Sequence, residues 1–531
     1  MRRQRLLWVL PFLLSAAACS RCGGQVAGGA KTELTRLLPK NAEAILLVPD
    51  LALLGERLTS LERLKLANFA AQLQGMPSAK DLSAAIAQQV GVDIRSRDGL
   101  ERAGFDPARG MGMVLLDGDH GYSVIAINDA KKFRAMVEKL TRDRLGVTTV
   151  ETRSEGNAEV TRFTGPRGLE AAMVVKDGFA AIAARPLAER LSEVMTLAAG
   201  TTLADDPGFA ASLARLPKDR HLVAYLPPSS KMAGRSYLHG ATFGAHLADD
   251  DLSLVMDLPW PDTRASLAAL AKKEGTSPYG VLPADAFAMA RFAGDFTALN
   301  GIWPYLTGQR LAQQLTEAGL DVNSEVLGNL EPGGVLSLSL SPIVNFSSGL
   351  SLNVRRSNPF RMVHPVAAAR VKDAAKARAT LEKVPPLSQR LGATVTGEDR
   401  NGQRLYLTRY SQGEGLHFAL AGNTLVAASP EPRLLDAVVA AKAGGGEAPL
   451  TDPALRSALE QDVFTFAIDL SKLAAQVEAL PSSAWGVGGF AIKATTVRWL
   501  AATDDLTAIT GSLATKDKAV QAQLHLRLAK Q

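Results

Sequence analysis

The sequence predicts an α+β fold made of two similar halves, each a mainly antiparallel sheet with helices packed on one face. Apolar segments follow one another across short Gly or Asp turns, as at 168–184, and neighbouring strands of this kind favour antiparallel pairing over a parallel doubly wound sheet. The same succession of strand, glycine turn, strand and proline-started helix recurs at 415–438. We therefore predict one module duplicated head to tail.

Three pairs of landmarks support the duplication, because the members of each pair are 244 residues apart. The first pair precedes the first strand of each half. The second pair begins a helix with apolar residues at helical spacing, and the third begins a further helix at a proline. The pairs are Pro39 and Pro283, Asp129 and Asp373, and Pro186 and Pro430. A period of this length is too long for a solenoid repeat and indicates a duplicated domain.

The predicted organisation has five segments. They are a signal peptide at 1–18, a lipidated cysteine and flexible tether at 19–32, a first α+β repeat at 33–270, a linker at 271–280 and a second α+β repeat at 281–531.

The N-terminus has the pattern of an export signal. A basic start, Met1–Arg5, precedes an apolar core that ends in Ala16-Ala17-Ala18 and is too short to span a bilayer. Cys19 follows at once, and this arrangement resembles the lipobox of bacterial lipoproteins. The resemblance implies cleavage before Cys19 and its lipidation. By analogy, Ser20 favours the outer membrane, and the alternative is an ordinary secretory signal followed by a chance cysteine.

Charge argues against a nucleic-acid partner. The signal contains three of the 59 basic residues, so the mature chain has 56 against 53 acidic residues, a net charge of +3. The second cysteine, Cys22, lies in the glycine-rich tether, so no cysteine pair is available to the folded part.

The mature part is similar to a poorly characterised group of exported bacterial proteins known only as a domain of unknown function. The motifs that carry this resemblance are the Leu-Pro-x-(Asp/Asn)-Ala openings and the Gly-(Phe/Leu)-Asp elements. They lie at Leu38–Ala42, Leu282–Ala286, Gly104–Asp106 and Gly319–Asp321. The resemblance implies paired halves and supplies no activity.

The sequence predicts neither a catalytic residue nor a cofactor. Gly-x-Ser-x-Gly and Ser-x-x-Lys are missing, and none of the seven histidines has a metal-binding spacing. The cluster closest to a metal site consists of His246, Asp249 and Asp251. Acidic residues where a strand begins are more often solvated turn formers, so we predict no metal there.

We therefore expect a lipid-anchored cell-envelope protein that acts as a binding or scaffold protein without catalysis, most simply at the outer membrane facing the periplasm. Its partners would be the membrane, through Cys19, and an envelope protein or glycan. Two alternatives stay open. An envelope hydrolase of peptidoglycan or glycan would need two carboxylates about 5–10 Å apart, and a carrier of hydrophobic molecules would need an apolar cavity.

Overall fold

The computed structural model describes most of the chain after residue 32. The described residues are 33–117, 120–194, 196–231, 238–248, 250–260, 271–301, 309–317, 319–341, 363–390, 394–410, 413–444, 448–450, 452–480 and 489–529. The predicted signal peptide, Cys19 and the tether lie outside them, as does Asp249. The chain divides into two compact units, unit 1 with residues 1–259 and 527–531 and unit 2 with residues 260–526.

Unit 1 is built on an antiparallel sheet. Its described strands are β1 (Ala44–Val48), β2 (Met111–Asp117), β3 (His120–Ala126), β4 (Thr149–Glu155), β5 (Ala158–Gly165), β6 (Gly168–Lys176), β7 (Phe179–Ala184), β8 (Leu222–Tyr225), β9 (Thr242–Leu247) and β10 (Asp251–Pro259). They pair in the order β10-β9-β8-β1-β2-β3-β7-β6-β5-β4, and every pairing is antiparallel.

Helices connect these strands. Four follow one another between β1 and β2, and three come later in the unit. They are α1 (Leu51–Leu61), α2 (Lys65–Leu73), α3 (Ala79–Val90), α4 (Arg97–Arg102), α5 (Ala130–Leu145), α6 (Leu191–Val194) and α7 (Pro207–Arg215). Short 3₁₀ turns at Leu187–Arg190 and Leu203–Asp205 precede α6 and α7.

The start of α5 confirms a local prediction. The Asp129 side chain accepts hydrogen bonds from the backbone N–H groups of Lys131 and Lys132, both at 3.0 Å, and so caps the helix. Phe133 and Val137, on the predicted apolar stripe, are buried, and α5 packs against β5 and β6.

Ala171 and Met173 of β6 are buried on one face of the unit 1 sheet, and a hydrophobic core that includes the alternating Ala172 and Val174 lies against the other face. Ile45, Val124 and Val174 point from β1, β3 and β6 into this core, and Leu191 of α6 and Phe209 of α7 cover them. Strand residues pointing to one face alternate with residues pointing to the other, so this face is apolar because every second residue of these strands is apolar.

Unit 2 is also built on antiparallel strands. Its described strands are β11 (Ala288–Phe292), β12 (Gly334–Leu340), β13 (Val363–Arg370), β14 (Thr394–Arg400), β15 (Gln403–Tyr410), β16 (Gly413–Glu414), β17 (His417–Ala421), β18 (Thr424–Ala428), β19 (Phe464–Asp469), β20 (Leu506–Lys516) and β21 (Ala519–Leu528). Nine of them pair in the order β20-β19-β11-β12-β13-β18-β17-β15-β14, and β16 pairs with the end of β15.

Among the described residues, unit 2 has one α-helix between β11 and β12, one between β13 and β14, and four after β18. They are α8 (Gln309–Glu317), α9 (Ala374–Arg390), α10 (Glu431–Ala443), α11 (Pro453–Leu459), α12 (Leu470–Glu478) and α13 (Gly489–Ala502). The peptide bonds before Pro430 and, in unit 1, before Pro186 are cis.

Two hydrophobic clusters occupy opposite faces of the unit 2 sheet. Leu405 and Ala419 pack with Leu434 of α10, whereas the neighbouring Tyr406 and Leu420 pack with α9. The predicted α+β class with antiparallel sheets is therefore confirmed, but the prediction of helices on one face is wrong for this unit. The reason is visible in 418–421, Phe-Ala-Leu-Ala, where both sides of the strand are apolar and both need cover.

The segment predicted as a linker is bound to unit 2. Lys273 N–H donates to Ala293 O at 2.8 Å, and Arg291 Nε donates to Ser277 Oγ at 2.8 Å. Within the described residues, no helix combines the length and the apolar character needed to cross a bilayer.

Candidate functional site

His246, the histidine nearest to a metal-site pattern in the sequence, faces Asp219. Its Nδ1 lies 2.9 Å from the Asp219 backbone O and 3.2 Å from the Asp219 carboxylate. Both partners are acceptors, so Nδ1 carries a proton and donates. Asp251 stands at the start of β10, and Asp249 lies outside the described residues. The partner that His246 does have, Asp219, was not predicted, because nothing in the sequence spacing links residues 219 and 246.

A second histidine, His221, completes this cluster. Its ring centroid is 5.3 Å from that of His246, and its side chain is buried. His221 Nδ1 accepts the backbone N–H of Leu247 at 3.2 Å, so the proton of the neutral ring is on Nε2. Nε2 is buried and has no hydrogen-bond partner among the described residues.

Burial also controls the charge of His221. Loss of water around the ring, together with the neighbouring His246 and Arg57, lowers the pKa of His221 to about 4, against the opposing carboxylate of Asp219. The imidazole is thus neutral near pH 7.

This geometry is unsuited to a metal ion at His221. A neutral imidazole that binds a metal through Nε2 has its proton on Nδ1, whereas here Nδ1 accepts a backbone hydrogen bond. Across the described ranges, no group of three or more His, Cys, Asp or Glu residues is arranged to hold a metal ion. The absence of a metal from the protein stays a prediction.

Unit 2 contains a larger polar cluster, which we call the Asp285 cluster: Asp285, Ser339, His364, Glu414, His417 and Arg433. It lies where β12, β13 and β17 meet the start of α10. Arg433 pairs with both Asp285 carboxylate oxygens, one of them at 3.0 Å. Ser339 Oγ donates to Asp285 Oδ1 at 3.1 Å, and Gln476 Nε2 donates to the Asp285 backbone O.

The Arg433 pair decides the charge of Asp285. Partial burial raises the pKa of Asp285, but the hydrogen-bonded guanidinium of Arg433 and the Ser339 hydroxyl lower it by more. The net pKa of Asp285 lies below its ordinary value, so the carboxylate is charged near neutral pH.

The two histidines of the Asp285 cluster are in different settings. His364 is the cross-strand partner of Ser339, and its Nδ1 is buried with no hydrogen-bond partner among the described residues. Burial lowers the pKa of His364, and the charge of Arg433 lowers it further. His417 Nδ1 accepts the Thr408 N–H at 2.9 Å, and its Nε2 lies 3.3 Å from Glu414 Oε2. His417 therefore carries its proton on Nε2 and donates it to Glu414.

The Asp285 cluster contains Ser, His and Asp but does not connect them as a nucleophile relay. In such a relay the serine hydroxyl donates to the histidine and the histidine to the carboxylate. Here Ser339 donates directly to Asp285. The two carboxylates are engaged by Arg433 and by His417, so each holds a protein partner. These polar contacts connect the sheet of unit 2 to the first turn of α10.

This cluster was not predicted from the sequence. Asp285 belongs to the Leu-Pro-x-Asp-Ala opening that marks the second half. His364 and His417 have no recognisable spacing to it, because sheet pairing brings them together across long sequence separations. Arg433 stands in the first turn of the proline-started helix, where the sequence predicted only a helix.

Two surface cavities lie elsewhere. One, of about 390 Å³, is in unit 2 and is lined by Lys272, Lys273, Glu274, Gly275 and Arg291. The other, of about 760 Å³, is in unit 1 and is lined by Asp98, Glu101, Arg102, Asn128, Asp129 and Lys132. Charged side chains dominate both linings, so neither fits the apolar cavity that a carrier of hydrophobic molecules needs.

No protein-family model matches the sequence, and no match was found among the curated proteins. A solved structure described as crystal form IV of TP0453 resembles it with a TM-score of 0.23 and 9% identity, over 47% of this chain and 81% of that chain. A resemblance at that level supports no conclusion about fold or function.

Proposed function

We propose that the mature chain is a lipid-anchored protein of the cell envelope that binds or scaffolds a partner without catalysing a reaction. The observation that carries the proposal is the order of basic start, short apolar core, Ala16-Ala17-Ala18 and Cys19. Acyl chains contribute about 0.8 kcal/mol per buried CH₂, so several of them hold a protein on a bilayer durably. Ser20 supports the outer membrane as its destination, with the folded units in the periplasm.

The non-catalytic part of the proposal is supported by the state of the polar side chains. In the Asp285 cluster the serine, both carboxylates and His417 are engaged with each other or with Arg433. A general acid or base needs an oxygen or nitrogen directed at a substrate. The partner we propose is an envelope protein or a glycan, and nucleic acid is disfavoured by the small net charge of +3 that remains once the three signal arginines are removed.

We propose further that the two units are copies of one ancestral module. Beginning at β8, the sheet of unit 1 runs β8-β1-β2-β3-β7-β6-β5-β4. The sheet of unit 2 runs β19-β11-β12-β13-β18-β17-β15-β14. In both orders the first strand of the unit lies between the strand that follows the Asp-Pro helix and its own successor, and the last four strands run in reverse chain order.

The anchor is tested by labelling cells that produce the full precursor with radioactive palmitate. We expect label in the wild type and in the matched control Cys22→Ala, which changes the other tether cysteine. Cys19→Ala should take up no label, retain residues 1–18 and leave the lipid-anchored membrane fraction. A wild-type protein without label, or a labelled Cys19→Ala variant, would contradict the anchor.

The absence of catalysis is tested separately with purified protein and peptidoglycan. We expect no soluble fragments from the wild type. Release of fragments that stops in Asp285→Asn or Glu414→Gln, with the wild-type melting temperature kept, would establish the hydrolase alternative instead. Crosslinking in envelope extracts followed by mass spectrometry then identifies the partner.

A further inference from the structure

A helical hairpin in unit 1 has an uncharged tip. It consists of α2, α3 and the connecting residues 74–78. Between Leu66 and Pro77 the sequence contains no acidic or basic residue, and Arg63, Lys65 and Lys80 flank this stretch. The segment between β11 and β12 in unit 2 is shorter and has no such pair among its described helices.

Contacts within the hairpin hold α2 and α3 together. α2 packs against α3, and Leu64, Ala71 and Ala79 are buried. The Asn68 side chain ties the two helices together, since its Oδ1 accepts the Ala79 N–H at 2.9 Å and its Nδ2 donates to Leu64 O at 3.1 Å. The tip is therefore held in a defined shape.

The tip exposes an apolar side chain, Leu73, between the uncharged and likewise exposed Gln72 and Gln74. Leu73, the last residue of α2, is 63% exposed, against 45% for Leu254 elsewhere in unit 1. Met76, three residues further along, is partly exposed, and so is Leu66, about two helical turns before Leu73. An exposed leucine lacks the favourable free energy that its burial would contribute. Its exposure at the tip of a rigid hairpin therefore indicates that the tip binds another surface.

The charges around the tip favour an anionic surface. Among the nearby acidic residues, Glu62 pairs with Arg95 at 2.6 Å. The Asp81 carboxylate accepts a hydrogen bond from Ser78 Oγ at 2.6 Å, and the Asp81 backbone N–H donates to the same oxygen at 3.2 Å. Arg63 and Lys80 are exposed. Apolar residues flanked by basic ones are the pattern of an element that enters the headgroup layer of an anionic bilayer.

We propose that the tip of the α2–α3 hairpin, centred on Leu73, inserts into the headgroup region of an anionic lipid bilayer. The inference rests on the proposed function, because acylation of Cys19 would bring unit 1 to the membrane. Fourteen residue steps separate Cys19 from Glu33, the first described residue, and an extended chain of that length reaches about 50 Å. The anchor thus confines the tip near the bilayer and raises its effective concentration there.

The test uses the full mature chain, residues 19–531, in unacylated form with Cys19→Ser, and vesicles of phosphatidylethanolamine and phosphatidylglycerol. We expect the chain to float with these vesicles and to float less with neutral phosphatidylcholine vesicles. Leu73→Glu should weaken partitioning about tenfold, because burial of a leucine is equivalent to roughly that factor in a binding constant. The matched control is Val439→Glu, which introduces the same charge at an aliphatic side chain of unit 2 that is 69% exposed, and it should float like the parent chain.

A second measurement reports on the tip directly. Leu73→Cys, in a background with Cys19→Ser and Cys22→Ser, is labelled with an environment-sensitive fluorophore, and its emission should shift to the blue on addition of anionic vesicles. The proposal is overturned if the parent chain does not float, if Leu73→Glu and Val439→Glu float equally, or if the emission of the label at residue 73 does not change on addition of anionic vesicles. Failure of palmitate labelling would remove the anchor but leave these vesicle measurements unaffected, so the two failures are distinguishable.

Discussion

Buried histidines are the residues whose chemistry departs most from their ordinary state. His221 in unit 1 and His364 in unit 2 each bury a ring nitrogen that has no hydrogen-bond partner among the described residues. Both have a lowered pKa because burial disfavours the cation. A neutral ring with an unpaired nitrogen lowers stability by less than a buried imidazolium would, so these positions link the stability of the fold to pH.

Acidification should destabilise the protein through His221. The folded-state pKa of His221 is about 4 and the unfolded value is about 6.5, so the unfolded chain binds the additional proton between these values. The free energy of unfolding therefore falls as the pH drops from about 6.5 to 4, by about 3 kcal/mol in total. Urea denaturation at several pH values measures this slope.

His221→Asn isolates this contribution, because its side-chain oxygen can accept the Leu247 N–H while the residue does not titrate. We expect a shallower pH slope in this variant than in the wild type. His120→Asn, at an exposed histidine, is the control and should keep the wild-type slope. Equal slopes in the wild type and in His221→Asn would show that His221 is not the linked group.

At the scale of elements, the start of α5 depends on a glycine turn that precedes it. Gly104 has φ +88°, and its carbonyl accepts the N–H groups of Asn128 and Asp129. A Cβ placed on Gly104 would lie 2.4 Å from Asp129 O and 2.6 Å from Phe133 N. The N-terminus of α5 therefore packs directly on the Gly-Phe-Asp element found in the sequence.

Replacing Gly104 should therefore be costly. Gly104→Ala combines an unfavourable positive φ with contact to backbone atoms that cannot move away, and we expect a loss of about 3 kcal/mol or more in the free energy of unfolding. Gly146→Ala is the matched control at the other end of α5, with φ +66° and open space around the position. Its expected loss is about 1 kcal/mol. Equal losses in chemical denaturation would contradict a steric role for Gly104.

Local signals in the sequence explain which elements could be predicted. The strands 168–176 and 179–184 and the cap at Asp129 follow from turn residues, alternation and a capping side chain, all within a few residues. The packing of α9 on the second face of the unit 2 sheet could not be predicted in this way, because it depends on which strands become neighbours. The partners of His246 and Asp285 could not be predicted from the sequence for the same reason. Sheet pairing and helix packing bring Asp219 and Arg433 to them from distant parts of the chain.

At the scale of the whole molecule, each unit has a hydrophobic core of its own. Leu203 is fully buried in the core of unit 1 and its N–H donates to Leu38 O at 2.7 Å. Leu450 is 3% exposed in the core of unit 2. Both precede a helix that begins at Asp-Pro, and the duplication proposal makes them equivalent.

This equivalence leads to a prediction with two matched variants, Leu203→Ala and Leu450→Ala. Each removes the same atoms from a buried site, so each should lower the free energy of unfolding of its own unit by about 2–5 kcal/mol. Hydrogen exchange measured by mass spectrometry locates the effect, since amides of a destabilised cooperative unit exchange faster. We expect Leu203→Ala to accelerate exchange in β1 and β8, and Leu450→Ala in β11 and β19. Uniform acceleration across both units in either variant would contradict separate cores, and a large effect at only one of the two leucines would argue against their equivalence.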